Sequence, residues 1–393
     1  MSAEPALLIV DDNEDNLYTL RRRLARYGYT KVKTAINGRE ALQLLQAQPF
    51  DLVLLDIMMP EMNGYEVLEH LKASNELRHL PVIMISAVDE MDSVIRCIEL
   101  GAEDYLGKPF NPTLLRARVG ASLEKKRLRD ELRASLWRLQ QELDAARALQ
   151  LGMLPLVFPA CLPERPVEVH AVMEPAREVG GDLYDCFYAG RNLFCFLVGD
   201  VSGKGAPAAM FMARTRSLVR MAVESRREPE GGTLLPALLA EMVNRELCQN
   251  NPQRMFVALL LGFLDTRTGT LAYINAGHPT PYVLRASGAV EPCEGRPQRP
   301  LGVRSDSSYA TYVSALNPGD AVFVSTDGVI EAMDETGELY TSERLLADLR
   351  DLREAPPEAI VRAIKERVDA FSGAASKADD VTILALRWQG AAL

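Results

Sequence analysis

The sequence predicts a multidomain chain: an α/β module with a doubly wound, parallel, five-stranded sheet, then a long helical linker, then an α+β module. Three observations predict this order. Over residues 5–120, short apolar runs alternate one for one with amphipathic helical patterns. From Asn111 to Pro155 the chain is rich in Leu, Arg, Glu, Ala and Gln, and after Pro112 it has no proline until Pro155, so nothing breaks a helix. Over residues 155–393 strand-like runs predominate, with helical patterns between and beyond them. The expected boundaries are 5–120, 121–154 and 155–393.

Composition narrows the function classes. The chain has 393 residues, is 48% hydrophobic and 25% charged, and carries a net charge of −10. That balance suits a globular protein and argues against a nucleic-acid partner. Six cysteines are scattered without a CxxC pair, and four histidines are widely separated, so neither a disulfide framework nor a zinc site is expected. No signal peptide and no apolar run approaching ~18 residues is present. The expectation is a cytoplasmic protein that does not enter the membrane.

In the first module ALLIVDD, KVKTA, FDLVLLD, PVIMISA and EDYLGK read as strands. Helical patterns run from Asn16 to Tyr27, Gly38 to Gln48, Tyr65 to Ser74 and about Met91 to Leu100. In such sheets ligands sit beyond the carboxyl ends of the strands. Polar residues stand at those ends: Asp11 and Asp12, Asp56, Ser86, and Lys108. A single strand-end aspartate usually only caps the next helix, but five converging polar residues indicate a site. Three crowded carboxylates repel unless a hard cation joins them. Mg²⁺ held by Asp11, Asp12, Asp56 and a phosphate suits the set. Asp56 then acts as a nucleophile toward phosphorus, with Ser86 and Lys108 on the phosphoryl oxygens. Pro109 after Lys108 can form a cis bond that aims the lysine.

These residues resemble the receiver domain of two-component response regulators. The matching pieces are Asp11–Asp12, Asp56 within LLDIMMPEMNGYE, Ser86–Ala87 and YLGKPF. The resemblance implies phosphorylation of Asp56 by a histidine kinase or phosphotransfer protein, Mg²⁺ bound with help from the backbone of Met58, and a switch involving Ser86 and Tyr105.

In the linker, Leu132, Leu136, Leu139, Leu143, Ala146 and Gln150 follow alternating four- and three-residue steps, the seam of a coiled coil. The expectation is a signalling helix that pairs with its copy in a homodimer. The plainer reading is an amphipathic helix packed on its own domain.

In the last module, PVEVHAVMEPA, NLFCFLVGDV, MFVALLLGFLD, TLAYINAG, TPYVLR, SSYATYVSAL, DAVFVSTDG and VTILALRW read as mostly antiparallel strands. Ala206–Val223, Leu234–Cys248 and about Pro357–Phe371 read as helices. Asp182, Asp200, Asp327 and Asp379 stand at the edges of apolar runs, where a lone carboxylate is costly to bury. Four such residues with no matching basic partner in their motifs point to hard divalent cations. SGKG at residues 202–205 lacks the GxxxxGK[ST] spacing of a nucleotide phosphate loop.

VGGDLYD, GDVSGKGAPAAMFM, NAGHPTPYVL, RPLGV, LNPGDAVFVSTDGVIEA and DDVTIL together resemble the bacterial, SpoIIE- and RsbU-like branch of the protein phosphatase 2C family. AARALQLGMLP resembles the helix that precedes such domains. The resemblance implies a metal-dependent serine/threonine phosphatase with Asp182, Asp200, Asp327 and Asp379 at the metal positions. Asp200 would bridge two Mn²⁺ or Mg²⁺ ions with help from the Val201 carbonyl, and Asp380 competes with Asp379 for one ligand position. Such ions, roughly 3.5–4 Å apart, activate a water. Two departures stand out, at Ser202 and Thr341, and Lys204 between them has two readings. Ser202 replaces the histidine of eukaryotic relatives, leaving His278 as a weak substitute acid. Lys204 is either a phosphate contact or a solvated loop lysine. Thr341 stands where relatives usually carry glycine.

Taken together, the resemblances imply a response regulator whose phosphorylation controls a protein phosphatase. The implied substrate is a phosphorylated anti-sigma antagonist in sigma-factor partner switching. The alternative is an RssB-like, non-catalytic adaptor that binds a sigma factor.

Overall fold

The computed structural model describes residues 4–87, 91–162, 164–226, 235–375 and 377–391. It divides into two compact units, Met1–Leu139 and Gln140–Leu393.

In the first unit β1 (Leu7–Val10), β2 (Val32–Ala35), β3 (Leu52–Asp56), β4 (Val82–Ser86) and β5 (Asp104–Gly107) alternate with α1 (Glu14–Arg26), α2 (Gly38–Ala47), α3 (Gly64–Ala73) and α4 (Met91–Glu99). The strands form one sheet in the order β2-β1-β3-β4-β5, every pair parallel. Strand side chains alternate between faces, and this explains the continuous apolar runs. Leu8, Val10, Val53, Leu55, Val82 and Met84 pack on one side, against α2 and α3. Leu7, Ile9, Leu52, Leu54, Ile83 and Ile85 pack on the other, against α1 and the start of the following helix. Both faces are covered, as a parallel sheet requires.

That helix, α5 (Pro112–Met153), runs for 42 residues. Asn111 starts it by accepting from the backbone N–H groups of Thr113 and Leu114. Leu115 and Val119 are buried on the first unit's core. Ion pairs of Lys126 with Asp51 and of Lys125 and Arg129 with Glu103 extend that attachment. Leu128, Leu132, Leu136 and Leu139 lie exposed, and Ala146 is exposed as well. Gln150, expected in the same seam, is instead buried within the second unit. It therefore belongs to that unit's own packing and not to a helix pairing.

The second unit contains β6 (Val167–Glu174), β7 (Leu183–Tyr188), β8 (Leu193–Val201), α6 (Ala206–Ser225), α7 (Pro236–Cys248), β9 (Val257–Asp265), β10 (Thr270–Ala276), β11 (Tyr282–Leu284), β12 (Val290–Pro292), β13 (Tyr312–Ala315), β14 (Ala321–Ser325), α8 (Asp327–Ile330), α9 (Thr341–Asp351), α10 (Pro357–Ser372) and β15 (Val381–Trp388). Two antiparallel five-stranded sheets form, β13-β10-β9-β8-β7 and β12-β11-β14-β15-β6. Val322 and Val324 of β14 and Leu384 and Leu386 of β15 face the core shared with the other sheet. Ala321, Phe323, Ile383 and Ala385, one position off, face α9 and α10. Helices α6 and α7 join the shared core from the opposite side. The result is four layers, helix–sheet–sheet–helix.

Strand β7 and helix α9 go beyond the sequence expectation. The polar pair in LYDCFY hides a buried strand whose aspartate, Asp185, is paired inside the protein. Residue 234, expected to open α7, lies outside the described residues.

Candidate functional site

Two clusters of carboxylates form, one in each unit. In the first, the carboxyl ends of β1 and β3 bring Asp11, Asp12 and Asp56 together, with ligand oxygens within 4.8 Å of one another. Asp11 and Asp56 are buried, whereas Asp12 reaches solvent. Asp11 Oδ1 accepts from the Asn13 backbone and the Asn16 side chain, both at 3.0 Å, so its other oxygen points inward. Lys108, carried just past β5, places Nζ 2.8 Å from Asp11 Oδ2 and 2.8 Å from Asp56 Oδ2. The Lys108–Pro109 bond is cis. Burial raises the Asp56 carboxyl above its usual range, against the opposing pull of Lys108. Burial alone would lower the Lys108 ammonium, but its bonds to Asp11 and Asp56 leave it raised. Ser86 is buried at the end of β4, and Tyr105 lies half-buried in β5. Met58 points its side chain into solvent two residues after Asp56. Gly64 closes the loop that follows Asp56 and carries Met58. Its N–H donates to Ile57 at 2.9 Å, and a Cβ there would lie 2.2 Å from the Asp56 carbonyl oxygen.

In the second unit, Asp182 enters β7, Asp200 lies in β8 at its carboxyl end, Asp327 opens α8 after β14, and Asp379 precedes β15. Asp182 is buried, and its Oδ2 accepts from Thr326 Oγ1 at 2.8 Å. Burial, then the neighbouring Asp200, pushes its carboxyl well above the usual range. Asp200 is pushed up to about 7 by burial and by Asp327, Asp379 and Asp380. Asp327 is raised by burial, Glu331 and Asp379. These repulsions link all four expected aspartates, with Glu331 and Asp380, as one electrostatic cluster. Among the described residues, however, only the first unit's trio has three oxygens within 4.8 Å.

Adjacent Asp379 and Asp380 do different work. The Asp380 carboxylate accepts from the backbone of Ala176 at 2.8 Å and of Gly181 at 2.6 Å. A Cβ on Gly180 would lie 2.4 Å from Asp380 Oδ2, and one on Gly328 would lie 2.0 Å from the Asp380 carbonyl. Asp380 is therefore a clasp that gathers two glycine-bearing segments, the loop from Ala176 to Gly181 and the turn at Gly328. Asp379 is left facing the cluster and Lys204, whose Nζ is 3.2 Å from its Oδ2.

Two readings of other polar residues sharpen. Ser202 exchanges hydrogen bonds with the Phe256 backbone, 2.9 Å each way, so it is committed to structure. His278 is buried, with Nδ1 on the Pro279 carbonyl. Burial lowers its imidazole to about 4, which leaves it neutral and unable to serve as a proton donor near neutral pH.

Residues with no role at this site expected from the sequence support the cluster. Thr326 also accepts from the Thr382 backbone at 3.0 Å. Gln150 of α5 accepts from the Gly180 N–H at 3.1 Å and donates to its carbonyl. Asp185 of β7 takes Arg216 and Arg220 of α6 at 2.9 and 2.6 Å, tying the helix after Gly205 to the strand after Asp182.

The donors fit hard cations. All are oxygens, the carboxyls of Asp182, Asp200 and Asp327 are raised by burial and by neighbouring acids, and the glycines leave backbone oxygens close at hand. A Cβ on Gly181 would lie 2.8 Å from the Val201 carbonyl oxygen.

Comparison with known proteins agrees with this geometry. The family model described as Stage II sporulation protein E (SpoIIE) matches residues 190–389. The chain belongs to the SpoIIE family. The response regulator receiver domain model matches residues 7–120, so the SpoIIE-family unit follows a receiver domain. Protein IcfG of Synechocystis sp. is 29% identical over 265 residues, covering 62% of this chain and 41% of that protein. A probable cyclic di-GMP phosphodiesterase of Vibrio cholerae is 43% identical over 126 residues, covering 32% of this chain and 28% of its own length. The chain thus spans less than half of either curated relative. The solved SiaA-PP2C domain of Pseudomonas aeruginosa shares the fold, with a TM-score of 0.56 at 23% identity, covering 65% of this chain and 99% of that one.

Proposed function

We propose that the protein is a response regulator in which phosphorylation of Asp56 controls a metal-dependent phosphoserine/phosphothreonine protein phosphatase. The carrying observation is that the receiver domain and the SpoIIE-family unit each contain a carboxylate cluster, with Asp56 bonded to Lys108 in one and Asp200 pushed up to about 7 in the other.

In the receiver, Asp11, Asp12, Asp56 and the Met58 carbonyl would hold Mg²⁺, which neutralises charge on an incoming phosphoryl group. The Asp56 carboxylate attacks phosphorus, and the donor, a histidine kinase or phosphotransfer protein, leaves. The Lys108 ammonium stays within reach of the new phosphoryl oxygens, and the Ser86 hydroxyl lies on the neighbouring strand end. Tyr105 responds as part of the switch.

In the second unit, Asp182, Asp200, Asp327, Asp379 and the Val201 carbonyl would hold two Mn²⁺ or Mg²⁺ ions, which supply an activated water and a charge clamp for phosphate. Thr326 orients Asp182, and Asp380 fixes the loops that present the others. No side chain is required as a covalent carrier. The proposed substrate is a phosphorylated anti-sigma antagonist. The exposed Leu128, Leu132, Leu136 and Leu139 favour homodimer pairing through α5 as a coiled coil. Gln150, bonded to Gly180 beside Asp182, gives the same helix a hold on the metal loop.

The test is an assay with Mn²⁺ on a generic phosphate ester and on the phosphorylated antagonist, with and without a phosphoryl donor for Asp56. Hydrolysis lost in Asp200→Asn supports the proposal. No hydrolysis under any condition would replace it with the sigma-factor-binding adaptor.

A further inference from the structure

Four residues lead into β15: Lys377, Ala378, Asp379 and Asp380. Lys377 is occupied by Glu174 and by Asp369. Asp380 is occupied by backbone N–H groups. Asp379 differs, because its partner comes from the glycine-rich loop after β8. Lys204 Nζ lies 3.2 Å from Asp379 Oδ2 and also donates to the Ala378 carbonyl. Among the described residues, no other cation is paired with Asp182, Asp200, Asp327 or Asp379.

The loop that carries Lys204 is built to let it leave. Gly203 and Gly205 flank it at φ 91° and 75°, and a Cβ on either would meet nothing within 4 Å. No packing wedges the loop, and the Lys204 side chain is 39% exposed. Exposed ion pairs contribute little to stability, so breaking this one is cheap.

An ammonium and a divalent ion cannot both sit freely on one carboxylate oxygen. They compete for the same lone pairs and repel each other. We propose that Lys204 is the internal counter-cation of Asp379, displaced when a divalent ion binds there, so that metal loading and release of the Gly203–Gly205 loop are one event. This rests on Asp379 being a metal ligand. Lys204 thereby sets how much free divalent ion the centre requires, and the released loop leads directly into α6.

The experiment is Mn²⁺ titration by calorimetry on the full chain, with the receiver's cation site disabled by Asp11→Asn. Lys204→Met should tighten one Mn²⁺ site on the order of tenfold, the effect of removing one unit charge a few ångströms from a dication in near-aqueous surroundings. Lys204→Arg, which keeps the competing charge, should stay close to the parent. With Asp379→Asn already present, Lys204→Met should add little, because the two act on the same interaction. Unchanged or weaker binding in Lys204→Met, with the parent still titrating, overturns the counter-cation and leaves the metal centre standing. No Mn²⁺ binding in the parent overturns both.

Discussion

The two carboxylate clusters solve the same electrostatic problem differently. In the receiver, parallel strands end side by side and deliver Asp11 and Asp56 with a lysine of their own. Lys108 is 17% exposed and bonded to both acids at 2.8 Å. In the SpoIIE-family unit the acids come from the ends of two sheets and a short helix. Their one paired lysine among the described residues, Lys204, is 39% exposed and pairs with Asp379 alone of the four acids. The receiver's charge is thus partly balanced by the chain itself. The second centre holds Asp182, Asp200 and Asp327 with raised carboxyls and little balancing charge of its own, which is what the proposed cation-bound centre calls for. Under the proposed roles, a phosphoacceptor keeps its nucleophile ready between phosphorylation events, whereas a hydrolytic centre would gain a point of control by needing its metal.

Neutralising one acid in each cluster separates the two centres by the largest effect. Asp200→Asn should reduce phosphatase turnover by about 10³-fold or more, since it removes the proposed shared metal ligand. Asp56→Ala should leave basal turnover in place and abolish its response to a phosphoryl donor. Phosphate release from a model ester measures both. Basal turnover lost with Asp56 would refute the independence of the two centres.

Glycines test the next level. Gly64→Ala would drive a Cβ to 2.2 Å from the Asp56 carbonyl, and Gly180→Ala would drive one to 2.4 Å from the Asp380 carboxylate. Neither contact can stand, so the Asp56 backbone in one case and the Asp380 carboxylate in the other must shift, at a cost of about 1–3 kcal/mol. Gly64→Ala should slow phosphorylation of Asp56 while sparing basal hydrolysis. Gly180→Ala should weaken Mn²⁺ binding and hydrolysis while sparing phosphorylation. Mass spectrometry of Asp56 and the ester assay separate the two.

The unequal reach of sequence reasoning has the same origin as the difference between the clusters. Asp11, Asp12, Asp56, Ser86 and Lys108 were legible because a parallel sheet puts its strand ends at one edge. The four aspartates of the second unit were legible as motifs, but their partners were not. Whether Asp379 or Asp380 faces the cluster depends on N–H groups of Ala176 and Gly181, far away in sequence. Gln150 fitted the leucine repeat and is instead buried on Gly180. Strand β7 was obscured because Asp185 looks solvent-facing until Arg216 and Arg220 of another element are placed beside it.

A pH series probes the missing positive charge. The Asp200 carboxyl lies at about 7 in the folded protein, against an unfolded value of about 3.9. A raised folded value favours the protonated native form. The stability it contributes is full below the unfolded value and is lost as pH rises toward 7. With chelator present, the second unit's melting temperature should fall between about pH 5 and about pH 8. Mn²⁺ should restore more at the higher pH, by replacing the lost protons as the source of positive charge. An equal Mn²⁺ increment at both pH values would count against the electrostatic account.

The smallest effect serves as the control. Thr341 opens α9 at φ 68°, a left-handed conformation that a β-branched residue adopts only under strain. It lies outside both clusters, and glycine fits this conformation freely. The gain is moderated because glycine also loses more entropy on folding. Thr341→Gly should therefore stabilise the second unit by about 1 kcal/mol. If the deficit of that unit is one of charge, this change raises melting equally with chelator and with Mn²⁺, and leaves the Mn²⁺ increment intact. An altered increment would mean that backbone strain at α9 reaches the metal loops, and the contrast between the two clusters would no longer be electrostatic alone.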